Sequence, residues 1–246
     1  MPDRTSTAER LLQRYHTLSR RSSIQDPATR QVVFRAFDRA LGDWLTVDPG
    51  SAILDIGCGE GALLAFLRDR GYPDLHGFDL SPENVDICHK AGFGFVNVFD
   101  ALRLDLYEPG LSFDLILAFD ILEHLPKQGA SGFLSQVHAR LRVGGRLILQ
   151  TPNMGSVLGT FIRHNDLSHE FGVTEKTVVD LLGLAGFRAS AIQVKPAWSA
   201  TTALGRMREL WLRLLHLLVF AVEGSGRPRI PTKNLLVRAV RTESAD

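Results

Sequence analysis

Ile53-Leu54-Asp55-Ile56-Gly57-Cys58-Gly59-Glu60-Gly61 decides the reading of this chain. Apolar residues surround one carboxylate, and three glycines follow at alternate positions. The apolar part reads as a buried strand, and the glycines as a turn where backbone approaches a ligand without Cβ atoms in the way. Ala62-Leu63-Leu64 then opens a helix. Strand, glycine loop and helix start together make the first βα turn of a nucleotide-binding α/β sheet. Gly57-x-Gly59-x-x-Ala62 also fits the dinucleotide fingerprint, which would give a nicotinamide oxidoreductase. Asp55 weighs against it. Its carboxylate stands at the mouth of the loop, two residues before the first glycine, where a pyrophosphate would meet like charge. An acidic mouth suits a ligand that carries positive charge instead.

The stretch resembles the first motif of the class I S-adenosylmethionine-dependent methyltransferases, whose cofactor has no phosphate and carries a sulfonium and an ammonium. Later stretches agree with the likeness, which runs from about Ser51 to the last strand near Val240. It implies an α/β, Rossmann-like sheet of seven mostly parallel strands with helices on both faces. An N-terminal helical lid is expected over residues 1–48, the methyltransferase domain over residues 49–240, and a short tail over residues 241–246. On this likeness Asp55, Gly57, Cys58, Gly59 and Gly61 belong to the cofactor site.

Composition sets the frame. A chain of 246 residues with 45% hydrophobic content can bury one full core plus decorations. Its net charge of +1 gives no basic field to recruit nucleic acid. Asp3, Arg4, Glu9 and Arg10 leave no apolar run for a signal peptide after Met1. Two cysteines, Cys58 and Cys88, supply neither a disulfide framework nor a zinc pattern, so a reducing, cytoplasmic setting is expected.

Ser6-x-x-Glu9 is a capping-box pattern ahead of Leu11, Leu12, Tyr15 and Leu18 at helical spacing. Asp26-Pro27 starts a second helix with the apolar stripe Val33, Phe37, Ala40, Leu41 and Trp44. These two helices are expected to cover the cofactor mouth or a face of the sheet. Strands are expected over 52–56, 75–80, 95–99, 113–119, 146–150, 188–194 and 234–240, with one helix stopping at Gly144-Gly145. Residues 151–172 show no strong periodicity and read as a functional loop facing the acceptor. Residues 201–223 form an amphipathic insertion before the last strand.

The chemistry-bearing residues follow the sheet. Asp79, with Leu80, ends the second strand about twenty residues past the glycines, the spacing that holds ribose hydroxyls. The resemblance gives Asp79 that role, and gives Asp100-Ala101 the adenine amino group. Ala118 and Phe119 would present backbone to the methionine end, with Asp120 and Glu123 adding carboxylates. A hydroxyl acceptor must also lose a proton, which calls for a base near the transferring methyl. His169, flanked by Asp166 and Glu170, is one candidate, its tautomer fixed by those acids; His124 is the other. His169 also reads as a histidine that ties its loop down by hydrogen bonds, and His124 as a structural or pocket-lining one. No metal is expected, since neither a magnesium-type Asp/Asp-Asn set nor zinc spacing occurs. The Asn-Pro-Pro-Tyr signature of amino-base methyltransferases is absent as well; Ala118-Phe119-Asp120-Ile121 stands there.

Between the sixth and seventh strands lies the most hydrophobic segment, Ala203 to Val222. Arg206, Glu209, Arg213, His216 and Glu223 make a narrow polar stripe on it. Arg213 interrupts any run of the ~20 apolar residues a membrane span needs. Its broad apolar face is expected to meet the protein body, a second subunit as a homodimer, or the inner face of a membrane. The expected activity is methyl transfer to a hydroxyl of a small molecule or glycan precursor. Alternatives are a quinone or lipid precursor as acceptor, an NAD-type oxidoreductase, and a cofactor-binding protein without turnover.

Overall fold

The computed structural model describes residues 11–13, 24–45, 47–224 and 228–243. The capping-box pattern at Ser6, and Tyr15 and Leu18, lie outside them.

The central strands are parallel and read as continuous apolar runs because helices cover both sides. β1 (Ile53–Ile56) sits between β2 (Leu75–Asp79) and β4 (Phe113–Phe119), with Ile53 opposite both Leu75 and Leu115. β3 (Asn97–Val98) extends one edge, and β5 (Leu141–Pro152) continues beyond β4. β7 (Asn234–Val240) then inserts antiparallel between β5 and β6 (Ile192–Pro196). The order is β3-β2-β1-β4-β5-β7-β6 in one seven-stranded sheet.

Side chains alternate between faces, so each strand feeds two cores. Ile53, Leu115, Leu117, Ile148 and Leu236 pack under α1 (Pro27–Leu41), α2 (Ala62–Arg68) and α3 (Pro82–Lys90). Leu54, Ile56, Ile116, Leu147 and Val237 pack under α4 (Lys127–Arg140) and α6 (Glu175–Leu184). Asp26 caps α1 by accepting from the Thr29 N–H, and Ser81 caps α3 through Asn84.

Four expectations need correction, the first being the third strand, which spans Asn97–Val98 instead of 95–99. The helix predicted to stop at Gly144-Gly145 ends at Arg140, and the chain enters β5 at once. The register against β4 shifts between Phe113 and Leu115, and a Cβ at Gly145 would lie 2.9 Å from the carbonyl oxygens of Phe113 and Arg142. The glycines therefore serve a register shift within the strand, not a helix stop. The sixth strand begins at Ile192 instead of Arg188, because Ala189–Ala191 make a 3-10 turn. The loop 151–172 holds a six-residue helix, α5 (Gly159–His164), too short to leave a periodic signal.

α7 (Ala203–Glu223) is turned in an unusual sense. Glu209 pairs with Arg39 of α1 at 2.5 Å and accepts from the Ala200 N–H. His216, the one buried residue of the helix, bonds the Pro228 carbonyl at 2.8 Å. Those polar residues therefore face the protein, while Leu204, Met207, Leu210, Trp211, Leu214, Leu215, Leu218, Val219 and Val222 are exposed. No helix among the described residues is long and apolar enough to cross a membrane.

Candidate functional site

The sheet reverses its order at β1 and β4, and a crevice opens there beyond their carboxyl ends, where open α/β sheets bind ligands. A cleft of about 390 Å³ occupies it. Its floor is the glycine loop. Gly57 has φ +66°, and a Cβ there would come within 3.0 Å of the Ile121 side chain, so loop and β4 turn approach only through glycine. Leu12, Ile24, Val33 and Phe37 form an apolar wall on the N-terminal side, and the Ile24 N–H bonds the Glu60 carboxylate at 3.3 Å.

Of the residues expected to hold a cofactor, Asp55, Gly57, Cys58, Gly59, Asp79, Leu80, Asp100, Ala101 and Phe119 line this cleft. Gly61 and Ala118 do not. Gly61 caps α2 and is turned toward Cys88 and Phe93, and Ala118 is fully buried in the sheet. Asn84, Ile121, Leu125 and Gln150 also line it, unpredicted because nothing local in their sequence marks them.

Asp79 organises the floor. Its Oδ2 accepts from the Gly59 N–H at 2.8 Å, and its Oδ1 from the Ser81 N–H at 2.8 Å and the Asn84 side chain at 3.1 Å. Burial raises its pKa while these three bonds oppose the rise. Asp100 caps the 3-10 turn Ala101–Leu106 by accepting from the Leu102 N–H at 2.9 Å.

Asp55 is the anomaly. It is 2% exposed, and its Oδ2 has no hydrogen-bond partner. Burial first, and the charge of Asp79 second, push its carboxyl well above the usual range. With the folded pKa above the unfolded value of 3.8, the protonated acid favours the fold at low pH, and that advantage is lost as pH rises through the folded pKa. Asp55→Asn, neutral throughout, should therefore melt higher than wild type at alkaline pH, with the gap closing on acidification. Ligand-free thermal scans over about pH 5–9 measure this. A gap that shrinks or reverses as pH rises would contradict the assignment.

The other end of the cleft lies after β4. Asp120 holds φ +52°, an uncommon conformation for a non-glycine residue and one that clusters at functional sites. Its carboxylate accepts from Gln150 Nε2 at 3.1 Å. The 3-10 turn Leu122–His124 follows, and the Glu123 carbonyl accepts from the Glu170 N–H at 2.8 Å. That bond brings the 165–171 loop onto the β4 turn. The His124 and His169 rings meet edge to face with centroids 4.9 Å apart. His124 lines the cleft, and His169 stands behind it.

The acids near His169 act differently from expectation. Asp166 accepts from both Ser168 N–H and Oγ, and Ser168 Oγ lies 3.0 Å from His124 Nδ1. The chain Asp166–Ser168 thus orients His124. Glu170 is exposed and gives the contact its backbone N–H. Neither acid bonds His169 Nδ1, which is buried without a hydrogen-bond partner. Burial lowers the His169 pKa, which keeps the imidazole neutral at physiological pH. Glu123 is buried, accepts from Thr151 Oγ1 at 3.1 Å, and is pushed well above the usual carboxylate range by burial and by Asp120.

A family model described as a methyltransferase domain matches residues 26–189. The ubiquinone biosynthesis O-methyltransferase of Sinorhizobium medicae is 34% identical over 107 residues, 42% of this chain and 42% of that protein. The ribosomal protein L11 methyltransferase of Burkholderia mallei is 32% identical over 129 residues, 50% of this chain and 42% of that one. The matched stretch thus spans less than half of each relative's own length. Among solved structures, the magnesium protoporphyrin IX methyltransferase of Synechocystis PCC 6803 with bound S-adenosylmethionine superposes with a TM-score of 0.58 at 16% identity, covering 98% of this chain and all of that one.

Proposed function

The chain belongs to the class I S-adenosylmethionine-dependent methyltransferases, and from that premise we propose that it methylates a hydroxyl of a small molecule or glycan precursor. The cofactor fits the cleft on this structure's own terms. Asp55 supplies a buried carboxylate oxygen with no hydrogen-bond partner, which a cationic group would satisfy. Asp79 and Asp100 stand on the same wall as acceptors for hydroxyl and amino groups. Bound there, S-adenosylmethionine supplies an activated methyl group. The protein has to align the acceptor with it and keep water out, for which the Val33–Phe37 wall is placed.

The observation that carries the hydroxyl reading is the His124–His169 pair at the Asp120 end of the cleft. An amine is nucleophilic once neutral, whereas a hydroxyl needs its proton handled during the reaction. Two imidazoles, one held by Ser168 and one kept neutral by burial, supply that function. Purified protein given deuterated-methyl cofactor and a panel of hydroxyl and amine acceptors tests it by mass spectrometry. Label on oxygen is expected; label confined to nitrogen would replace the proposal.

A second reading concerns where the acceptor comes from. α7 presents its apolar face outward, and Arg206, Arg208 and Arg213 are exposed beside it while Glu209 is neutralised inward by Arg39. Arginines fringing an apolar helix face match anionic lipid headgroups. We infer that α7 rests on an anionic membrane surface and that the acceptor is a quinone- or lipid-type precursor, the class that the ubiquinone-pathway relative's name suggests. Flotation with anionic vesicles should carry the protein up, and neutral vesicles or Trp211→Glu should abolish this. A dimer in light scattering that ignores both vesicle types would assign the face to a second copy instead.

A further inference from the structure

We propose that Glu123, His124 and His169 form a binding site for one divalent transition-metal ion at the acceptor end of the cleft, with open coordination positions for the acceptor's oxygen. Local spacing in the sequence predicted no metal. The fold brings together residues 45 positions apart, and one ligand atom from each of the three lies within 4.8 Å of the other two. Metal–nitrogen and metal–oxygen bonds of ~2.0–2.2 Å put neighbouring ligand atoms ~3–3.5 Å apart, so a small inward rotation of the side chains closes the set.

Three features mark the cluster as built for a cation. His169 Nδ1 is buried with no hydrogen-bond partner, a costly state that a metal bond relieves. His124 is held at Nδ1 by Ser168, which is in turn bonded to Asp166, the outer-shell arrangement that orients a metal-binding imidazole. Glu123 is buried and accepts from Thr151 Oγ1 at 3.1 Å, which fixes its carboxylate beside the two imidazoles. Two imidazoles and one carboxylate are the protein ligands of open, catalytic zinc sites and of related iron sites, whereas magnesium and calcium prefer oxygen throughout. Zinc, manganese and cobalt are the class that fits.

The chemistry rests on the hydroxyl reading above; the binding does not. A hydroxyl on such a cation ionises at lower pH than in water. Its O–H bond breaks and the proton leaves to water. The oxygen's electron pair then forms the O–CH3 bond as the S–CH3 bond breaks, and the S–C pair stays on sulfur.

The test uses the full chain, stripped with chelator and titrated with zinc by calorimetry and with cobalt by its visible ligand-field spectrum. One ion per chain is expected, with affinity falling about 10²-fold or more in His169→Ala and in Glu123→Gln. His169→Ala should bind S-adenosylhomocysteine as wild type does, and both variants should keep the wild-type circular dichroism spectrum, which shows they are folded. Binding well below one ion per chain, or affinity that both variants retain, overturns the site. Full hydroxyl methylation in excess chelator removes the cation from the chemistry and leaves the hydroxyl reading standing. Metal bound as expected, with methyl transferred only to nitrogen, keeps the site and removes the hydroxyl reading.

Discussion

His169→Ala is expected to cut methyl transfer by about 10²–10⁴-fold while leaving S-adenosylhomocysteine affinity near wild type. The separation follows from position. His169 stands behind His124 at the Asp120 end, away from Asp79 and Asp100, so its removal disturbs proton handling and not the cofactor's wall. Whether the imidazole takes the proton itself or holds the cation that acidifies it, the lost function is the same. The defect should therefore shrink as pH rises, because an acceptor already ionised needs neither. In the wild type the acid limb of the rate should lie below 6.5, the ordinary imidazole value, because burial depresses the His169 pKa and the neutral ring is the working form. Single-turnover rates with saturating cofactor, measured against pH, test both statements. A silent His169→Ala beside an inactive His124→Ala would move the role to His124, which Ser168 orients toward the same corner.

Much of this arrangement was legible in the chain because it is local. The β1 strand, the glycine turn and the start of α2 are contiguous, and their conformations follow from residue type alone. Asp79 was found by spacing, since a βαβ unit fixes how far the second strand's end lies from the first loop. Convergence across distance was not legible. Nothing near Glu123 tells that its carbonyl will take the Glu170 N–H, and that bond is what brings His169 to His124. The same limit governed the acids: Asp166 neighbours His169 in sequence, yet its bonds run through Ser168 to His124. α7 shows a further boundary. Periodicity divides a helix into two faces without saying which one points inward. The inward face here was chosen by the Pro228 carbonyl and by Arg39, the latter a partner far away in the sequence. The register shift at Gly145 was missed because a glycine pair reads equally as a helix stop, and only the pairing against Phe113 decides.

Asp79→Ala should weaken cofactor binding by roughly 1.5–3 kcal/mol, the scale of hydrogen bonds to a charged group, which is about 10–150-fold in Kd. The structure adds a reason beyond direct contact. Oδ2 bonds the Gly59 N–H, and Oδ1 bonds the Ser81 N–H and Asn84, so one carboxylate pins the glycine loop to the end of β2. Alanine removes the ligand's acceptor and frees the loop at the same time. Asparagine should not rescue it. Each carboxylate oxygen accepts from a backbone N–H, and an amide has one oxygen, so its NH2 would face either Gly59 or Ser81 donor to donor. Glutamate keeps both oxygens but displaces them by a methylene, and should recover loop stability no better. Burial also raises the Asp79 pKa, so wild-type affinity should begin to fall on acidification above 3.8, the ordinary value, as the carboxylate loses one acceptor to a proton. Calorimetry with S-adenosylhomocysteine on wild type, Asp79→Ala and Asp79→Asn, with melting curves as a fold control, measures each step. A folded Asp79→Ala that binds as tightly as wild type would take Asp79 out of the ligand's contacts and leave it as the clamp of the glycine loop.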